Sequence, residues 1–149
     1  MYPEEIVKPM RLELTSNGFV ELSNEDDVKN LIKNGTSLIM INSVCGCAAA
    51  NARPGVISSL NNNKKPDNLF TAFAGVDRLA TDSARELMFP FPPSSPSIAL
   101  FKEGELVHML ERHHIEGRDS SLIAENLKQA YNEYCCLLYT SPSPRDREK

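Results

Sequence analysis

Two cysteines flanking one glycine, Cys45-Gly46-Cys47, are the residues of this sequence best placed to do chemistry. They stand where an apolar run of strand length, residues 37–42, gives way to a small-residue helical stretch opening Cys47-Ala48-Ala49-Ala50. A thiol at such a junction sits beside unpaired backbone N–H groups and the positive end of the helix dipole. Both favour thiolate over thiol, so the reactive fraction at neutral pH rises. Gly46 supplies the backbone freedom that brings sulfurs two residues apart within bonding distance. A disulfide closed over one residue is strained and readily reduced, which suits exchange better than structural cross-linking. Two other readings stay open on the residues alone. One is a Cys-x-Cys metal chelate completed by His108, His113 or His114, although none of these has helical ligand spacing to a second cysteine. The other is a pair of inert small residues at a helix start.

The chain around this motif has 149 residues, 41% hydrophobic and 24% charged. That is the balance of one globular domain, and it excludes a disordered or collagen-like chain. No apolar run has the length of a membrane span. The acidic start Met1-Tyr2-Pro3-Glu4-Glu5 lacks the basic and apolar regions of a secretory signal, so a cytoplasmic location is expected. A net charge of −4 without a basic stripe argues against nucleic acid or an anionic membrane as partner. Four cysteines, at 45, 47, 135 and 136, are too few and too clustered for a secreted disulfide scaffold.

The elements that must position the motif follow from periodicity and punctuation. Residues 3–16 lean towards helix, with Pro9 disturbing the middle, and Phe19-Val20-Glu21-Leu22 reads as a short strand. Ser23 with Asp26 suggests the cap of a helix carrying Val28, Leu31 and Ile32 and stopped by Gly35. The run 37–42 has the composition of a central strand covered on both faces. Helix 45–60 should bend at Pro54, and 61–67 reads as an exposed loop. Strand 69–76 precedes a helix over 77–89 with Leu79, Ala80, Ala84, Leu87 and Met88 inward. The proline-rich segment 90–96 excludes regular structure. Strands 97–101 and 105–110 make a hairpin over Lys102-Glu103-Gly104, with His113-His114 expected at a strand end. Asp119 or Ser120 caps a last helix bearing Leu122, Ile123, Leu127, Tyr131 and Tyr134. The expected class is α/β: one domain over residues 1–135, a central mixed β-sheet with helices on both faces.

Residues 136–149, CLLYTSPSPRD followed by REK, have neither helical nor strand periodicity. The string resembles one reading frame of a transposon-type sequencing adapter. It is expected to be a non-native disordered tail, the bland alternative being a natural one. Cys136 then falls outside the domain, and Cys135 reads as a bystander thiol.

Ser95-Pro96 before the apolar strand 97–101 resembles the second signature of thioredoxin-fold proteins, in which a cis-proline faces the active-site cysteines. That likeness implies a cis Pro96, and gives Ser95 the role of offering its backbone to an extended substrate. Residues 1–135 as a whole resemble the bacilliredoxin family. The matching strings are Pro9-Met10-Arg11-x-Glu13-Leu14 with Gly18-Phe19, Val44-Cys45-Gly46-Cys47-Ala48, and Asn51-Ala52-Arg53-Pro54-Gly55. They continue with Phe73-Ala74-Gly75 and Asp77, Pro93-Ser94-Ser95-Pro96-Ser97, and Glu111-Arg112-His113-His114-Ile115-Glu116-Gly117. The resemblance implies a thioredoxin-like thiol–disulfide oxidoreductase that removes bacillithiol from client proteins carrying it as a mixed disulfide. Cys45 would be the attacking thiolate and Cys47 the resolving one, with Gly46, Ser95 and Pro96 contributing to substrate binding. No metal or bound cofactor is implied; bacillithiol, a low-molecular-weight thiol, acts as co-substrate. A general disulfide reductase or isomerase without small-thiol preference is the alternative within the same chemistry.

Overall fold

The computed structural model describes residues 3–44 and 46–135, with residues 46 and 47 described through their backbone. The expectations for Cys45, for the Cys47 thiol and for the tail 136–149 lie outside what the structure describes. The chain begins with α1 (Glu4–Thr15), which runs through Pro9 without ending. Glu4 and Glu5 stand at its positive end, and Val7 and Leu14, seven residues apart, bury one face. β1 (Val20–Glu21) follows. The next helix, α2 (Val28–Leu31), starts later than Ser23 suggests, because Asp27 accepts the Asn30 N–H and is the cap. Ser23 and Asp26 instead close a preceding turn, in which Asp26 Oδ2 accepts the Ser23 N–H at 2.7 Å.

β2 (Thr36–Asn42) is buried along its whole length. α3 (Gly46–Ser59) contains Pro54, and β3 (Asn68–Phe73) is shorter than its apolar run suggests. The loop before β3 is only partly exposed: Pro66 is buried, and Asp67 accepts from both the N–H and the hydroxyl of Thr36. In α4 (Arg78–Leu87) the inward stripe is Ala80, Ala84 and the following Met88. Leu79 is 62% exposed, contrary to expectation. It lies about 100° around the helix from that alanine stripe, whose small side chains bring α4 close to the sheet. β4 (Ser97–Lys102) and β5 (Glu105–Leu110) form the expected hairpin over Glu103 and Gly104, both at positive φ. That is the primed turn that matches strand twist.

α5 (Arg112–Ile115) occupies the place given to a strand end, so His113 and His114 are helical. The His114 side chain accepts the Glu111 N–H, a capping box with histidine in the usual Glu or Gln position. α6 (Ser120–Tyr134) is capped by Asp119, with Leu122 on its exposed flank.

The five strands lie in the order β1-β3-β2-β4-β5, with β1, β3 and β2 parallel and the β4–β5 hairpin antiparallel to β2. Alternation along β2 feeds two cores. Leu38 and Met40 join Leu14 of α1, Ala52 and Val56 of α3, and Ile123, Leu127 and Tyr131 of α6. Ile39 and Ile41 join Val28, Ile32, Ala80, Ala84, Met88 and Phe101 on the other face. The sheet is mixed and covered on both sides, as the order of strands and helices along the chain implies. Cys135 is buried in the first of these cores.

α3 and α6 approach closely at Gly55, where an added Cβ would stand 2.8 Å from Ile123 Cγ2 and 3.2 Å from the Ser120 carbonyl oxygen. Gly55→Ala is therefore expected to destabilise the fold by about 1–3 kcal/mol through overpacking. Thermal or urea unfolding measures this, and Ile123→Ala in the same chain should recover part of the loss.

Candidate active site

One end of the sheet gathers most of the motif strings. Asn42, the last residue of β2, lies opposite Phe73 at the end of β3; Ile41 lies opposite Ser97, and Ile98 opposite Leu110. The carboxyl ends of β2, β3 and β5 thus meet the start of β4. From this end the chain leaves β2 through Ser43 and Val44 and begins α3 at Gly46, with Cys47 in its first turn. Cys45 immediately precedes that helix in the chain.

The β2–α3 connection is held by a buried guanidinium. Arg53 Nη1 donates to Asn42 Oδ1 at 3.0 Å and to the Ser43 carbonyl at 2.8 Å. Its Nε donates to Glu13 Oε1 at 3.0 Å. Asn42 Oδ1 also accepts the Ser43 N–H at 2.8 Å, and Asn42 Nδ2 donates to the Met10 carbonyl at 3.1 Å. A buried charge persists only where acceptors replace its water, and here α1 and the β2 end supply them. Arg53 is thus a positioning residue for the segment that carries the cysteines. Its placement in the sequence, two turns into α3, does not disclose this by itself.

Opposite in the sheet, the Ser95–Pro96 peptide is cis, as the thioredoxin likeness implies; Phe89–Pro90 is also cis. Two arginines grip the segment before Pro96. Arg85 Nη2 donates to the Ser94 carbonyl at 3.3 Å, and Arg112 Nη1 to the Ser95 carbonyl at 3.0 Å. The Arg112 N–H donates to Ser94 Oγ at 3.3 Å. A third arginine, Arg11, forms a bidentate pair with Asp77 at 2.8 and 2.9 Å and stands over the Phe73 ring. Asp77 holds this guanidinium above its ordinary pKa, and its Oδ2 also accepts the Phe73 N–H. The pair fastens α1 to the β3–α4 junction.

Glu111, His113 and His114 have ligand atoms within 4.8 Å of one another. His114 Nδ1 already accepts from the Glu111 N–H at 3.0 Å, which puts the ring proton on Nε2. His108 is bonded to Asn126 on the β5–α6 side at 2.7 Å. Burial, with a smaller contribution from His113, lowers the His114 pKa below 6.5.

Similarity to known proteins follows the same residues. The protein family described as disulphide isomerase matches residues 2–135. A bacilliredoxin of Cytophaga hutchinsonii is 57% identical over 134 residues, covering 89% of this chain and 99% of its own length. The chain belongs to the bacilliredoxin family. A further bacilliredoxin, from Halalkalibacterium halodurans, is 49% identical over 136 residues, covering 90% of this chain and 94% of its own. Among solved structures, one with a thioredoxin fold superposes with a TM-score of 0.59 at 20% identity, over 77% of this chain and 95% of that one. Oxidised mitochondrial thioredoxin 3 of Saccharomyces cerevisiae gives 0.53 at 19% identity, over 81% and 98%. The fold is thioredoxin-like, and this bacilliredoxin-family protein is a thiol–disulfide oxidoreductase. Among the described residues, no helix is long and apolar enough to cross a membrane.

Removing Arg53 takes a charged donor away from Asn42, Ser43 and Glu13. Arg53→Met is expected to cost about 2–4 kcal/mol in urea unfolding, more than a surface arginine, since charged hydrogen bonds at a buried site are lost. The His114 cap carries a pH dependence. Protonated His114 cannot accept the Glu111 N–H, and the unfolded chain takes up the proton first. Stability is therefore unaffected above pH 6.5, falls as pH drops below it, and levels off once the folded ring is also charged. NMR titration should place the His114 midpoint below 6.5 with Glu111 amide protection lost over the same window. A midpoint at or above 6.5 would contradict this.

Proposed function

We propose that this protein removes bacillithiol from cytoplasmic client proteins that carry it as a mixed disulfide. The observation that carries the reading is the position of Cys45-Gly46-Cys47 between the end of β2 and the first turn of α3. A cis Pro96 opens the neighbouring strand, in a chain whose relatives of nearly equal length are bacilliredoxins. The backbone N–H groups of the first α3 turn and the helix dipole would stabilise thiolate at the adjoining cysteines.

In this reading the Cys45 thiolate attacks the bacillithiol sulfur of the mixed disulfide. The disulfide bond between the bacillithiol sulfur and the client sulfur breaks, the client leaves as thiolate and takes up a proton, and bacillithiol is held on Cys45 as a new mixed disulfide. Cys47 then attacks Cys45 Sγ, forming the Cys45–Cys47 disulfide and releasing bacillithiol. The dithiol loses two electrons and the client disulfide gains them. Alternatively, a second bacillithiol attacks the bound one and leaves as the small-molecule disulfide, restoring the Cys45 thiol. Gly46, Ser95 and Pro96 would shape the surface on which the disulfide lies. No metal or organic cofactor takes part; bacillithiol is the co-substrate.

With a bacillithiolated client, Cys47→Ser is expected to accumulate one bacillithiol on Cys45 by intact-mass analysis, and Cys45→Ser to lower turnover to background. Failure of Cys47→Ser to take up bacillithiol, together with stoichiometric metal in the purified protein, would instead favour a Cys-x-Cys metal module. Equal rates on bacillithiol and glutathione mixed disulfides would point to a general disulfide reductase.

A further inference from the structure

We infer that the cleft along α4 lined by Gly75, Arg78, Thr81, Asp82 and Arg85 is a carboxylate subsite for the small-thiol half of the disulfide substrate. The inference rests on the proposed function, since it assigns a binding place to that substrate. The cleft has a volume of about 250 Å³, room for a fragment of a small molecule but not for a folded surface.

Its location ties it to the site. Gly75 follows the end of β3, which pairs with the end of β2, where Asn42 stands three residues before Cys45. Arg85, at the other end of the cleft, donates to the Ser94 carbonyl beside Ser95 and cis Pro96. The cleft therefore lies along α4 between the turn after β3 and the arginine that grips the segment before Pro96. Arg78, Thr81, Asp82 and Arg85 recur at helical spacing, so α4 presents them as one stripe beside its buried alanines.

Its charge is under-compensated. Two guanidinium groups share the cleft with one carboxylate, Asp82, which itself is exposed. Arg85 Nε is inaccessible to water and has no hydrogen-bond partner among the described residues. Such an orphan is uncommon, because a buried donor without an acceptor costs free energy. Burial accordingly pushes the Arg85 guanidinium below its ordinary pKa, with Asp82 opposing only in part. A ligand oxyanion accepting from the remaining η-hydrogens of Arg85 and from Arg78 would supply the missing negative charge, while Arg85 Nη2 keeps its bond to the Ser94 carbonyl and the Thr81 hydroxyl its bond to the Phe73 carbonyl. Arginine's planar fork matches a carboxylate in two parallel bonds, which makes this the ligand group of choice.

The test has two arms. In the first, succinate is titrated into the reduced wild-type protein while the Arg85 Nε–H and the Gly75 and Thr81 amides are followed by NMR. Saturable shifts are expected, absent with neutral succinamide, and weakened about tenfold (~1.4 kcal/mol) in Arg78→Gln. No saturable shift, or equal shifts with succinamide, would overturn the subsite. In the second arm, one client is prepared as a mixed disulfide with bacillithiol and with uncharged mercaptoethanol. The ratio of kcat/KM between the two should fall about tenfold in Arg78→Gln, and an unchanged ratio would overturn the inference. If wild-type protein reduces neither disulfide, the proposed function fails, and the succinate titration alone decides the subsite.

Discussion

A guanidinium taken out of water must be given acceptors in return, and Arg53 is given them by the segment that most needs fixing. Its partners are Asn42 and Ser43 at the end of the central strand and Glu13 on the helix across from it. From Leu38 to Ile41 β2 is apolar and sealed on both faces, so those side chains cannot specify where the chain turns as it leaves the sheet. The polar cluster around Arg53 does that. Glu13 and Met10 draw α1 into the same arrangement, so the amino-terminal helix is part of the site's support as well as of the core.

The same device recurs around the sheet end. Arg11 binds Asp77 and fastens the β3–α4 junction; Arg85 and Arg112 hold the carbonyls before Pro96. Four arginines thus fix the loops at the carboxyl ends of strands and the start of β4. This explains why the strings that resemble the family are scattered along the chain yet act in one place. Arg11, Glu13, Arg53, Asp77 and Arg112 each belong to such a string, and each makes a long-range contact at this end.

The apolar run of β2 with its burial on both faces, the hairpin over Glu103 and Gly104, and a cap at Asp119 or Ser120 are legible because each is decided by local pattern or turn chemistry. The family resemblance pointed to Ser95–Pro96 and to its cis bond. Other features were hidden where a contact distant in sequence decides the outcome. Leu79 was read inward because it is apolar, but the alanines at 80 and 84 set the rotation of α4. The helix at residues 112–115 was missed because its cap uses a histidine where pattern rules expect Glu or Gln. Arg53 was visible as a residue of the motif, but the acceptors it binds come from two other elements, and no spacing along α3 reveals them.

The hydrogen bond from Arg112 to the Ser95 carbonyl has a consequence for which ligands the site can welcome. A flexible polypeptide that lies down as an added strand gives up roughly 1–2 kcal/mol of backbone entropy for every residue it orders. It recovers this through main-chain bonds, and at Ser95 the acceptor is already shared with the protein's own guanidinium. A long unstructured client therefore gains less here than on an open strand edge. A compact molecule, which has little conformational freedom to surrender, loses nothing by the arrangement.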